Sequence, residues 1–314
     1  MVPDAGTHWF HPHHGLQLDR GLYAPFIVDD PDEPGRYDAE WIVVLDDWTD
    51  GVGPSPERIL SALRAAGGTG TDGGMGGMMG DHGGMGGMSG MGGMDGGDVA
   101  YPLYLVNGRV SSDPQTLAAR PGDRVRLRMI NAAADTIFTV ALEGHDLSVT
   151  HSDGFPVIPV ATASVRMGMG ERYDATVTLG DGVFALVAQP VGKSGLARAL
   201  VRTGAGAVPP AGLRPAAFDE TPLTVDRLRS APEAVLPSRD PVTEQDLLLS
   251  GSMAPYVWTI NGTTYADTVP LTITYGEAGR LRIRNMSMMS HPVHLHGHTF
   301  QIGAAGGGGA RKDT

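Results

Sequence analysis

Short runs rich in β-branched and aromatic residues recur along most of the chain, separated by Gly, Pro, Asp and Asn. "EWIVVLDDW", "YLVNGRV", "DRVRLRMIN", "TIFTVALEG", "RYDATVTLG", "GVFALVAQP", "YVWTINGTTY" and "GRLRIRN" all have strand length and turn-forming neighbours. Many short strands closed by turn signals predict an all-β sandwich or barrel. One segment departs from that pattern. In "SPERILSALRAAG", Ser55 suits a helix cap and Pro56 the first helical position, Ile59, Leu60 and Leu63 share a face, and Gly67 can end the helix. Two Pro-dotted stretches, at 29–35 and around 206–246, read as linkers.

The pattern repeats on the scale of a domain. Asn107-Gly108 recurs as Asn261-Gly262, and "GDRVRLRMIN" at 122–131 recurs as "GEAGRLRIRN" at 276–285, each 154 positions later. With one residue deleted, "FTVALEGH" at 138–145 falls on "HPVHLHGH" at 291–298. Phe138, Ala141 and Glu143 then take the places of His291, His294 and His296, while His145 matches His298. One copy holds three histidines where the other has none, so the fold does not require them. A strand core is ordinarily filled by residues such as Phe and Ala, and three imidazoles in those places imply a ligand set. His298 has a counterpart in the copy that lacks the other three, and reads as a structural, hydrogen-bonded residue.

Composition narrows the chemistry. The 314 residues have room for two average domains, and a 41% hydrophobic content supports a packed core. The net charge is −12 and Lys193 and Lys312 are the only lysines, so no basic tract is offered to nucleic acid or anionic lipid. There is no cysteine, which excludes disulfides, thiolate metal ligands and cysteine nucleophiles together. No apolar run approaches the roughly 18 residues of a membrane span. The opening "MVPDAGTHWF" lacks the charged start and apolar core of a signal peptide.

Strand geometry divides the histidines. Residues two apart face one side, so His294 and His296 point together, while His291, three before His294, serves another site. "HWFHPHHG" repeats the spacing with His11 and His13; His8 and His14 read as surface residues or supports. On donor chemistry alone, imidazoles without thiolate suit copper, zinc, nickel or iron.

The order of motifs resembles that of the multicopper oxidases, the family of laccases, bilirubin oxidases and bacterial copper-resistance oxidases. "GTHWFHPH" is similar to the family's second His-x-His motif and "HPVHLHGH" to its third; "GLYAPFIV", "YLVNGR" and "HTFQI" follow suit. The resemblance implies cupredoxin-like Greek-key β-sandwich domains. It implies that His291 ligates a type 1 copper, His294 the type 2 copper, and His296 with His11 and His13 the binuclear type 3 pair. It implies a three-domain plan, with 1–34 the end of a first domain, 35–206 a middle domain carrying an insertion at 67–98, 207–246 a linker, and 247–314 the start of a third domain. Under that plan the chain looks cut at both ends, because the family's first His-x-His motif and its last, cysteine-bearing motif are both missing. This polypeptide is then expected to be inactive by itself.

The insertion has its own chemistry. In "GGMGGMMGDHGGMGGMSGMGGM", residues 73–94, Met75, Met78, Met79, Met85, Met88, Met91 and Met94 stand on a glycine background with His82 among them. Such a segment buries too little to fold. It reads either as a flexible spacer or as a soft-donor surface for Cu(I) capture, and exposed, oxidisable thioethers favour the second. The expected function is that of a copper oxidoreductase acting on dioxygen and a small reducing substrate or Cu(I), in the periplasm or outside the cell. The alternative is a non-catalytic protein that sequesters copper.

Overall fold

The computed structural model describes residues 4–33, 35–68, 97–237, 243–303 and 308–314. The chain is all-β and cupredoxin-like, and it divides into two compact units. The larger comprises 1–53, 96–237 and 292–314, and the smaller 54–95 and 238–291.

The larger unit contains, in chain order, β1 (Gly6–Phe10), β2 (Ala24–Val28), β3 (Ala39–Trp48), β4 (Leu103–Val106), β5 (Arg109–Val110), β6 (Thr116–Ala118), β7 (Arg124–Asn131), β8 (Phe138–Leu142), β9 (Leu147–Ser152), β10 (Phe155–Thr162), β11 (Val165–Met167), β12 (Arg172–Thr178), β13 (Val183–Pro190) and β14 (Ala197–Arg202). One sheet has the order β10-β9-β12-β7-β3-β4-β5 and the other β11-β8-β13-β14-β6. Between them lies the core, including Val43, Leu127, Met129, Phe138, Tyr173 and Val201. Strand alternation sends the intervening residues to the opposite face of the first sheet. There Val44 and Ile130 pack with Trp9 and Tyr23, while Arg126, Arg128, Arg172 and Asp174 form a buried polar layer. This second face carries the β1–β2 hairpin. Gly6 makes the approach possible, since a Cβ there would come within 2.5 Å of the Gly154 carbonyl oxygen. Within the stretch read as a linker, Leu223 and Leu228 are completely buried.

The smaller unit contains α1 (Pro56–Gly68), β15 (Thr243–Met253), β16 (Tyr256–Ile260) and β17 (Gly279–Asn285). Ser55 caps the helix, its Oγ accepting the Arg58 amide at 3.4 Å. The three strands form a sheet of order β16-β15-β17. Two short strands, β18 (Phe300–Gln301) and β19 (Arg311–Lys312), pair within the larger unit.

The repeat is present in the backbone. β3 runs parallel to β7 with Leu45 opposite Asn131, and β15 runs parallel to β17 with Leu249 opposite Asn285. Asn107 has φ 50° and Asn261 φ 52°, each followed by a glycine of positive φ. The Asn107 side chain accepts the Val44 amide at 2.7 Å and donates to Ile42 O at 2.9 Å. Asn261 accepts the Leu248 amide at 2.8 Å and donates to Asp246 O at 2.9 Å. The repeated Asn is thus a bracket between two strands as well as a turn residue.

Candidate metal centre

β1 delivers the first pair of histidines. Thr7 pins the strand to the polar layer, its hydroxyl donating to Asp174 Oδ1 at 2.6 Å and accepting Arg128 Nη1 at 2.9 Å. Two residues on, the Trp9 ring packs edge-on against Tyr23 and stacks on His11, with centroids 4.4 Å apart. From there a row of imidazoles begins. His11 and His13 are 4.6 Å apart by ring centroid, His13 and His296 4.5 Å, and His296 and His294 4.7 Å. His13 and His296, 296 − 13 = 283 positions apart in sequence, therefore meet in one cluster. The fifth candidate, His291, lies in the smaller unit, where Ser287 Oγ is 2.7 Å from its Nε2 and the Trp258 ring is 5.3 Å away.

The segment carrying His294 and His296 is not a ladder-paired strand, contrary to the strand reading of 291–298. Its counterpart β8 is flanked by β11 and β13, whereas 291–295 has no such partner among the described residues. One backbone contact substitutes for a ladder, with the Leu295 amide donating to Asp313 O at 3.0 Å.

The same oxygen accepts a hydrogen bond from the ring next door. His294 Nδ1 is 2.7 Å from Asp313 O, and a carbonyl can only accept, so Nδ1 carries the hydrogen and the Nε2 lone pair is left for a metal. His11 Nδ1 donates similarly to Pro12 O at 3.3 Å. Burial holds the His11 imidazole below the usual histidine range, with His13, His294 and His296 adding repulsion. His296 is lowered by burial and then by His294 and His13. Neutral imidazole is the form that ligates. The donor chemistry fits copper, yet among the described residues no three His, Asp or Glu side chains close on a single ion. The imidazoles stand in a row, suited to metal ions held by pairs and completed by other donors.

His298 and His145 keep their correspondence. His145 Nδ1 donates to Glu143 O at 2.7 Å, and His298 Nδ1 to His296 O at 3.2 Å. In the first copy the other nitrogen, His145 Nε2, accepts the Gly180 amide at 2.9 Å. His298 and His8 line an open cleft of about 420 Å³ beside His294, with Asp4, Phe155 and Arg311. His8 Nε2 is shielded from solvent without a hydrogen-bond partner among the described residues, and burial lowers its pKa. His14 is exposed. The methionines of 73–94 and His82 lie outside the described residues.

Sequence reading missed the supports. Trp9 was visible in "HWFHPH", two residues before His11 and so on its face of an extended chain. Asp313 acts through its backbone carbonyl, and no residue pattern signals that.

Comparison with known proteins identifies the family. Two family models, both described as multicopper oxidase, match residues 39–207 and 238–314. A curated relative, the multicopper oxidase MmcO of Mycobacterium tuberculosis, is 50% identical over 314 residues, covering 100% of this chain and 62% of the relative. A copper resistance protein A homolog of Pseudomonas syringae pv. tomato is 26% identical over 400 residues, covering 94% of this chain and 67% of its own length. Among solved structures, Fet3p, described as a multicopper oxidase that functions in iron import, superimposes with a TM-score of 0.71 at 18% identity, over 95% of this chain and 58% of that one. The chain thus spans less than two thirds of the length of MmcO.

Proposed function

The chain belongs to the multicopper oxidase family, and we propose that His11, His13, His294 and His296 are its contribution to a copper cluster, with His291 serving a separate electron-entry copper. The observation that carries this is the approach of His13 to His296 at 4.5 Å, which joins two His-x-His segments into one row of donors. Soft and borderline metals favour such imidazole sets. By family, His294 would hold the type 2 ion, and His296, His11 and His13 the binuclear type 3 pair. Copper bound in this way would supply four successive one-electron oxidations of a reducing substrate, coupled to the four-electron, four-proton reduction of dioxygen to two waters.

The chain's own residues prepare that site. Carbonyls fix the tautomers of His11 and His294, and desolvation with the repulsion of neighbouring imidazoles lowers the pKa of His11 and His296, which favours the neutral form. Trp9 covers one side of His11 and limits its rotation. The reducing substrate is assigned to the class of Cu(I) or phenols, the methionine tract favouring Cu(I), and the site of action to the periplasm or the cell exterior.

The absence of cysteine favours a second reading for the 314 residues taken alone. A thiolate-dependent blue site cannot form from them, so by themselves they would bind copper without turnover. Copper titration of this chain, followed by an oxidase assay, separates the two. Binding that His13→Ala weakens at least tenfold, with no turnover and no intense blue absorption, is the expected result. Turnover by this chain would overturn the inactivity, and failure of His13→Ala to change binding would overturn the cluster.

A further inference from the structure

The two histidine-bearing segments share a single buried anchor. Arg172 opens β12 on the face opposite the core and is 2% exposed. Its guanidinium forks the Asp313 carboxylate, Nη1 to Oδ1 at 2.6 Å and Nη2 to Oδ2 at 2.8 Å. Its Nε donates to Thr7 O, in β1, at 3.3 Å. The remaining hydrogens go to Gly170 O at 3.0 Å and Asp153 O at 3.2 Å. A planar fork with all its directions used has one orientation, and a lysine could not reproduce it.

What the fork holds is informative. Asp313 presents the carbonyl that receives His294 Nδ1–H, and Thr7 lies on the strand that ends just before His11. The neighbouring Lys312 and Thr314 secure the same segment. Lys312 Nζ donates to Glu171 Oε1 at 2.8 Å and Ser152 Oγ at 3.0 Å, and the Thr314 amide donates to Asp153 Oδ2 at 3.0 Å. Burial of this much charge costs more than apolar packing of the same volume would. Such a layer is therefore poorly explained by stability alone.

We propose that Arg172 is a positioning residue for the metal centre, which by gripping Asp313 and Thr7 together fixes the tautomer of His294 and brings the two histidine pairs into register. This rests on the reading of the histidine row as a copper site, but the tautomer it requires exists without metal. Groups that orient a ligating histidine typically change metal affinity by 10- to 100-fold when lost.

The test uses the metal-free 314-residue chain with ¹⁵N-labelled histidine, the His294 signals being identified by their loss in His294→Gln. Wild type should show His294 protonated at Nδ1, and Arg172→Lys should move it to a majority of Nε2–H. Affinity for Cu(II), measured by chelator competition, should fall about 10- to 100-fold in that variant. Val201→Ala, a core truncation away from the clamp, should change neither reading. Asp313→Asn keeps the buried cation but loses the charged fork, so it gives the answer if Arg172→Lys does not fold; its shift should have the same direction. His294 protonated at Nε2 in wild type, or unchanged tautomer and affinity in the variants, overturns the proposal. Wild type with the expected tautomer and no copper binding would instead remove the copper reading and leave the clamp standing.

Discussion

In β7, Leu127 and Met129 are sealed beneath the second sheet; at the same places in β17, Leu281 is 40% and Ile283 45% exposed. Yet the hydrogen-bond plan around the two strands is the same, down to Asn107 and Asn261 bracketing their neighbours. The local plan is therefore set by the Asn-Gly turn and the strand pairing, and does not depend on burial. Burial is a separate requirement. The first copy meets it with β8, β11, β13 and β14, strands that follow in the same chain, whereas no second sheet covers β17 among the described residues.

The largest expected effect separates the copies by burial. Leu127→Ala should cost about 2–5 kcal/mol, as fully buried leucines do when truncated. Leu281→Ala should stay within about 0.5 kcal/mol, the range for exposed sites. Urea unfolding of the two variants measures both, and equal losses would mean that the two faces are equally covered.

The Asn brackets give the next effect. Asn107→Ala strips a hydrogen bond from the Val44 amide and another from Ile42 O and places Ala at a positive φ, so a loss of about 1–3 kcal/mol is expected. Asn261→Ala removes the same bonds where water can replace them, and should cost less in the same unfolding assay.

These residues also show what could be read in advance. β7, β17, the Asn-Gly turns and α1 stand in the sequence almost to the residue, because period and turn chemistry are local. β9, β10 and β14 were not foreseen; the "HSDG" turn between the first two breaks the apolar pattern, and "ARALVR" alternates poorly. The histidine pairs were legible because a two-residue spacing survives folding. The supports were not. Arg172 and Asp313 are 141 positions apart and meet through a carboxylate fork, with a backbone oxygen doing the orienting.

A pH-dependent effect tests the second face of the first sheet. Burial pushes the Asp46 carboxyl up to about 8, against the hydrogen bond from the Tyr23 hydroxyl at 2.6 Å. The native state then holds a proton that the unfolded chain releases near pH 4, so stability is full below that value and is lost as pH rises through about 8. Asp46→Asn has no such proton to lose. Its stability relative to wild type should rise steadily between about pH 5 and about pH 8, read from thermal melts across that window. A flat difference would mean that Asp46 is ionised in the folded chain.

The separation of ligand from scaffold within one motif is the central claim, and copper per chain is its most direct measure. In protein extended to the length of its relatives, His294→Ala and His296→Ala should each lose copper, because Ala141 and Glu143 show that the fold accepts other residues there. His298→Ala should keep its copper and lose on the order of 1 kcal/mol of stability, since it removes one hydrogen bond. Loss of copper from the His298 variant with an unchanged melt would contradict the account and shift the ligand assignment along the motif.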